Sequence, residues 1–190
     1  MLPHLDDYHS CAKEACVYAQ AFISSSYYTN SKFAEFVECG PGSPHLRYWL
    51  LSIINFITDV TGIRILFGPL PVRGYGSWLC LSDGDDYAVV VDESQLNIWA
   101  QESGMPAKIQ AIRSIVHELG HFILSQKLPA RSGSTSDPGR IGVPIRSVRP
   151  IEEEKAWIFA FVFFAVINGH YARSSRELPR NRDDGCKVFV

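Results

Sequence analysis

The chain has 190 residues, 46% hydrophobic and 20% charged, with 18 Lys and Arg against 20 Asp and Glu. That length predicts one domain, large enough to bury a core without a disulfide scaffold. The composition excludes a wholly disordered chain, and a net charge of −2 excludes a generally basic nucleic-acid binder.

The start, Met1 to Asp7, has neither the basic flank nor the apolar block of a secretory signal. Tyr8, Ala12, Ala15, Ala19 and Phe22 recur at three- and four-residue steps, which predicts a helix from Asp7 to Ser25. Turn-rich Cys39 to Pro44 closes the linker that follows. A second helix is expected from His45 to Thr61. Its apolar face is Leu46, Trp49, Leu50, Ile53, Ile54, Ile57 and Val60, and Gly62 sits where a C-terminal cap belongs. Three strands are expected next, at Arg64 to Phe67, Tyr75 to Leu81 and Tyr87 to Val91. Asp83-Gly84-Asp85 is a hairpin signal between the last two. Glu93 to Ser103 reads as a short helix and a loop.

The clearest helix is Ala107 to Lys127, with Ile109, Ile112, Ile115, Val116, Leu119, Phe122 and Ile123 as its apolar positions. Lys127 to Pro150 is rich in Pro, Gly and Ser. It carries Lys127, Arg131, Arg140, Arg146 and Arg149 against one acid, Asp137. It reads as a solvated linker, with a gate over a site or a contact for an acidic substrate as the alternative. Pro150 opens the last long helix, expected to end near Asn168 with Gly169 as cap. Its apolar run, Ala156 to Ile167, is 12 residues. A membrane span needs about 20, so the run reads as a core helix and no membrane is expected. Strands grouped between helices predict an α+β fold. Five scattered cysteines, Cys11, Cys16, Cys39, Cys80 and Cys186, form no CxxC pair. They offer no cysteine zinc site and are expected to be reduced thiols in a cytoplasmic protein.

His117-Glu118-Leu119-Gly120-His121 is the most informative string. Residues four apart share a helix face, so His117 and His121 can aim at one metal ion. Glu118, about 100° round the helix, can reach a water on that metal without ligating it. In that geometry it is the general base, taking the water's proton and passing it to the leaving amine. A catalytic zinc usually takes a third protein ligand, here a His, Asp or Glu from a later element. Glu152, Glu153 and Glu154 open the last helix, where acids also suit the helix dipole without any metal. Glu153, Ala156 and Ala160 share one face. The small residues there would let the two helices approach closely, as Gly120 would, which favours Glu153 over Glu152 and Glu154. An oxyanion donor is also expected, with His170, Tyr171 and Arg149 as candidates. His4, His9 and His45 read as structural or solvated.

Ile109 to Leu124, followed about 30 residues later by Glu153-Glu-Lys-Ala156-Trp-Ile-Phe159-Ala160, resembles the ImmA/IrrE family of metallopeptidases. That family has an HExxH helix and a downstream ExxAxxFA-like helix whose Glu is the third zinc ligand. The resemblance spans Ile65 to Ile167 and is strong at the two helices. It maps Glu153 onto the ligand and Glu118 onto the base. It implies a zincin-like core at 63–170 with a small twisted sheet against the HExxH helix; length and periodicity add N-terminal helices at 1–62 and a tail at 171–190, a single metallopeptidase-like domain over 1–190. It also implies a zinc-dependent endopeptidase whose protein substrate is often a transcriptional repressor. Tyr87 to Val91 is the expected edge strand for a bound peptide. The sequence departs from the family where Trp157 replaces the usual Asn or Asp, and where Phe161 to Val166 lacks the family's proline. No helix-turn-helix or other nucleic-acid motif is present in the sequence. The competing functions are a non-catalytic protein-binding module on the same scaffold and another metal-assisted hydrolase.

Overall fold

The computed structural model describes residues 5–29, 33, 45–70, 76–81, 87–126 and 150–177. Among these residues the chain is α+β, with five helices and a three-stranded mixed sheet. The helices are α1 (Leu5–Ile23), α2 (His45–Thr61), α3 (Glu93–Ser103), α4 (Ala107–Gln126) and α5 (Pro150–Glu177). The strands are β1 (Arg64–Phe67), β2 (Ser77–Leu81) and β3 (Tyr87–Val91).

Helix α2 ends as expected. Gly62 takes φ 74° and its amide donates to the Thr58 carbonyl at 2.8 Å. Helix α1 starts and ends two residues earlier than the sequence reading, and two later segments also differ. Glu93–Ser103 is one continuous helix, because Asp92 caps its start and Gly104 closes it at φ 69°. Helix α5 runs through Gly169 to Glu177. A glycine inside a helix costs about 1 kcal/mol, and packing past it offsets that loss. His170 lies edge-on to Tyr28, and Tyr171 lies against Phe33 at 5.0 Å.

The sheet order is β1-β3-β2, with β1 parallel and β2 antiparallel to β3. Leu81 stands opposite Tyr87, as a hairpin requires. The turn itself, with Asp83-Gly84-Asp85, lies outside the described residues. Strand β3 is therefore central, which corrects the expectation that Tyr87 to Val91 forms an edge. Ala88, Val89 and Val91 are buried, and apolar residues at adjacent positions suit a strand covered on both faces. The edges are β1 and β2.

Helix α4 occupies the middle of the molecule. It packs on β2 and β3, on α2 and α3, and along α5, while α1 lies against α5. Its positions from Ser114 to Gly120 are all buried. Cys11, Ala15, Ala19 and Phe22 form the buried stripe of α1. Phe22 joins three helices, with ring centroids 5.4 Å from Trp49, 5.1 Å from Phe56 and 6.1 Å from Phe163. Phe56 is thus a core residue of α2, whereas Val60, expected on the apolar face, is exposed.

The segment Ile151–Ser174 is long and apolar enough, by length and composition, to cross a membrane. The 12-residue run alone did not indicate that. In the folded chain its stripe of Ala156, Phe159, Ala160, Phe163 and Ile167 is buried. Trp157, at the flank of that stripe, and Phe161, further round the helix, remain exposed.

Two stability outcomes follow from these contacts. Phe22→Ala empties the junction of α1, α2 and α5 and is expected to cost about 3–5 kcal/mol in urea unfolding. Asp92 accepts from the amides of Leu70, Gln95 and Ser94. The Leu70 bond is the main cause that holds its carboxyl below the ordinary value, with burial opposing and the Gln95 and Ser94 bonds adding. A lowered folded value means its contribution is complete above the ordinary aspartate range and is lost as pH falls through that folded value. Asp92→Ala is therefore expected to cost about 1 kcal/mol at neutral pH. The difference between variant and parent should shrink in acid, and an unchanged difference there would refute the assignment.

Candidate metal centre

His117 and His121 lie one turn apart on α4, and their Nε2 atoms are 3.1 Å apart. Glu153, in the first turn of α5, faces both. Its Oε2 is 3.3 Å from His117 Nε2, and its Oε1 is 3.4 Å from His121 Nε2. One ligand atom from each of the three residues lies within 4.8 Å of the others. His117 is buried and Glu153 half exposed.

Close helix packing makes this convergence possible. A Cβ on Gly120 would stand 3.1 Å from the Ala156 Cα and 3.2 Å from its carbonyl oxygen. Both are backbone atoms that cannot swing aside. Ala156 and Ala160 are themselves buried, as the small-residue face predicts.

Contacts from α1 hold the start of α5. Tyr8 donates to Glu154 Oε2 at 2.7 Å, Lys155 pairs with Asp7 at 2.9 Å, and the Cys11 thiol donates to the Lys155 carbonyl at 3.0 Å. Glu154 is thus engaged on the α1 side, and Glu152 is not in the cluster.

Electrostatics shift two of the three groups downward. The hydrogen bond from His117 is the main cause that lowers the Glu153 carboxyl, against opposing burial, with the charges of His121 and His117 adding. Burial pushes the His121 imidazole below its ordinary value, although Glu118 and Glu153 pull it upward. A neutral imidazole and an ionised carboxylate are the forms that bind metals.

Glu118 leaves α4 towards the sheet. Its carboxylate is buried, accepting from the Ser77 hydroxyl at Oε1 (2.9 Å) and from the Leu79 amide at Oε2 (3.1 Å). Ser77 escaped the sequence reading, since a single serine in a strand belongs to no motif. Two of the candidate oxyanion donors, His170 and Tyr171, are not gathered here. His170 and Tyr171 follow Glu153 by 17 and 18 positions, about 25 Å along the same helix. Their place is in the packing with Tyr28 and Phe33. Arg149, the rest of the basic segment at 127–149 and His4 lie outside the described residues. His9 is exposed on α1, and His45 begins α2.

Compared with known families, characterised proteins and solved structures, the chain matches no family model, no curated protein and no solved structure.

Gly120→Val is expected to force α4 and α5 apart. It should lower stability by about 1–3 kcal/mol through overpacking, and weaken metal binding while both histidines remain. Differential scanning calorimetry and metal titration read the two effects separately.

Proposed function

We propose that the chain is a zinc-dependent metalloendopeptidase of the zincin type, acting on a peptide bond in a protein substrate. The observation that carries this reading is the convergence of His117 Nε2, His121 Nε2 and the Glu153 carboxylate within 4.8 Å. Two imidazoles and one carboxylate match the ligand set of a catalytic zinc whose fourth position stays open. The lowered values of His121 and Glu153 suit that role. A zinc ion held by His117, His121 and Glu153 would supply Lewis acidity and a water of lowered pKa.

Glu118 is the proposed general base. It takes a proton at its carboxylate and returns it to the leaving amine. Ser77 and Leu79 each occupy one acceptor site on its two oxygens. A carboxylate has about four such sites, so acceptor capacity remains while the side chain is held in one rotamer. The resemblance to ImmA/IrrE metallopeptidases supports a protein substrate, a transcriptional regulator among them, and the scattered cysteines without a CxxC pair support a cytoplasmic setting.

The same two hydrogen bonds favour a second reading. Glu118 would then be a clasp between α4 and β2, and the chain a non-catalytic protein-binding module that keeps the metal scaffold.

Elemental analysis of the purified protein is expected to find about one zinc per chain, lost in the double variant His117→Ala, His121→Ala. Glu153→Ala should lose zinc far more readily than Glu152→Ala or Glu154→Ala, and equal small losses would refute the ligand set. Glu118→Gln should keep zinc and abolish cleavage of peptide substrates drawn from a proteome-derived library. If the parent cleaves nothing and Glu118→Gln is strongly destabilised, the clasp reading replaces the catalytic one.

A further inference from the structure

His117 carries a polar atom that the proposed metal site does not use. Its Nδ1 is buried and has no hydrogen-bond partner among the described residues. A histidine that binds metal through one ring nitrogen ordinarily donates the other N–H to a carboxylate, a carbonyl or a water. That bond orients the ring.

What meets His117 instead is an aromatic face. The Trp157 ring lies 4.2 Å from the His117 ring, centroid to centroid, inclined at 36°. Trp157 follows Glu153 by one helical turn on α5, so the two residues share a face directed at α4. Tryptophan has a single N–H donor and no lone-pair acceptor, so it cannot replace the missing partner of Nδ1. It can restrict ring rotation by packing. The indole is otherwise partly exposed. The Arg113 guanidinium stands 6.0 Å from its centroid, at the outer limit of a cation–π contact. Arg113 precedes His117 by one turn on α4. Arg113, Trp157 and His117 thus link the two helices beside the cluster.

We propose that Trp157 is a positioning residue of the metal site, whose indole face orients the His117 imidazole in place of a hydrogen bond to Nδ1. The proposal rests on reading His117, His121 and Glu153 as metal ligands. It goes beyond that reading by giving a role to a residue that touches no metal. An aromatic ring is what the role demands, so an aliphatic residue of similar bulk should fail where phenylalanine succeeds.

The test is competition for zinc against a chromophoric chelator, using the full chain and the variants Trp157→Phe, Trp157→Leu and Trp157→Ala. Loss of an outer partner of a metal ligand typically weakens binding about 10- to 100-fold, and that loss is expected for Leu and Ala but not for Phe. Rescue of zinc affinity by phenylalanine but not by leucine is the readout that a purely structural role would not give, and ring-current shifts report the stacking itself. The His117 ring protons should be shifted upfield in the parent and in Trp157→Phe. In Trp157→Leu they should return towards ordinary positions, with the circular dichroism melt of the metal-free protein little changed. If Trp157→Leu binds zinc as tightly as the parent, or Trp157→Phe as weakly as Trp157→Leu, the proposal is overturned while the ligand set stands. A parent chain that takes up no zinc overturns the ligand set, and the proposal with it.

Discussion

The approach of α4 to α5 at Gly120 and Ala156 is the constraint on which the centre depends. Two imidazoles on one helix can be placed by helical geometry alone. The carboxylate comes from another helix and reaches them only if the backbones almost touch. Gly120 has no side chain to hold them apart, and Ala156 offers only a methyl group. On the far side of α5, contacts to Tyr8, Cys11 and Asp7 of α1 keep its first turn in place. The buried aromatic cluster around Phe22 anchors α1 in turn.

Helix α4 presents different chemistry to its two neighbours. Its histidines face α5, and the adjacent Glu118 faces β2. The sheet therefore does more than cover the helix. The hydroxyl of Ser77 and the amide of Leu79 hold the Glu118 carboxylate. Fixing a buried carboxylate with two donors avoids the penalty of leaving it unpaired. It also ties the side chain proposed to move protons to strand β2. A base and a clasp make opposite demands on mobility, and the proposed activity turns on how this carboxylate balances them.

Much of this architecture was legible in the residues. The spacing of His117 and His121 inside an apolar periodicity indicated their shared helix face. The small residues Gly120, Ala156 and Ala160 indicated a close crossing and singled out Glu153 among three consecutive acids. Strand boundaries at Arg64, Phe67, Tyr87 and Val91 were readable from β-branched runs ended by turn residues. What was not legible depends on tertiary partners. Nothing local says that β3 lies between β1 and β2, because strand order is set by which faces find cover. Gly169 looks like a stop until Tyr28 and Phe33 are seen holding the helix beyond it. Ser77 has no signal, since its importance lies in a helix 41 positions away.

The clamp between α1 and α5 also has a kinetic meaning. Tyr8 and Glu154 are separated by 146 positions, so the contact closes a loop that includes most of the chain. Contacts of such long range form late, after the entropy of loop closure has been overcome. The histidine pair needs only one helix. Glu153 follows His121 by 32 positions and joins the pair when α5 packs on α4, which closes a far shorter loop than the clamp does. Capture of a metal by all three groups would report that packing, and a chain lacking it would hold only a weaker, two-armed grip.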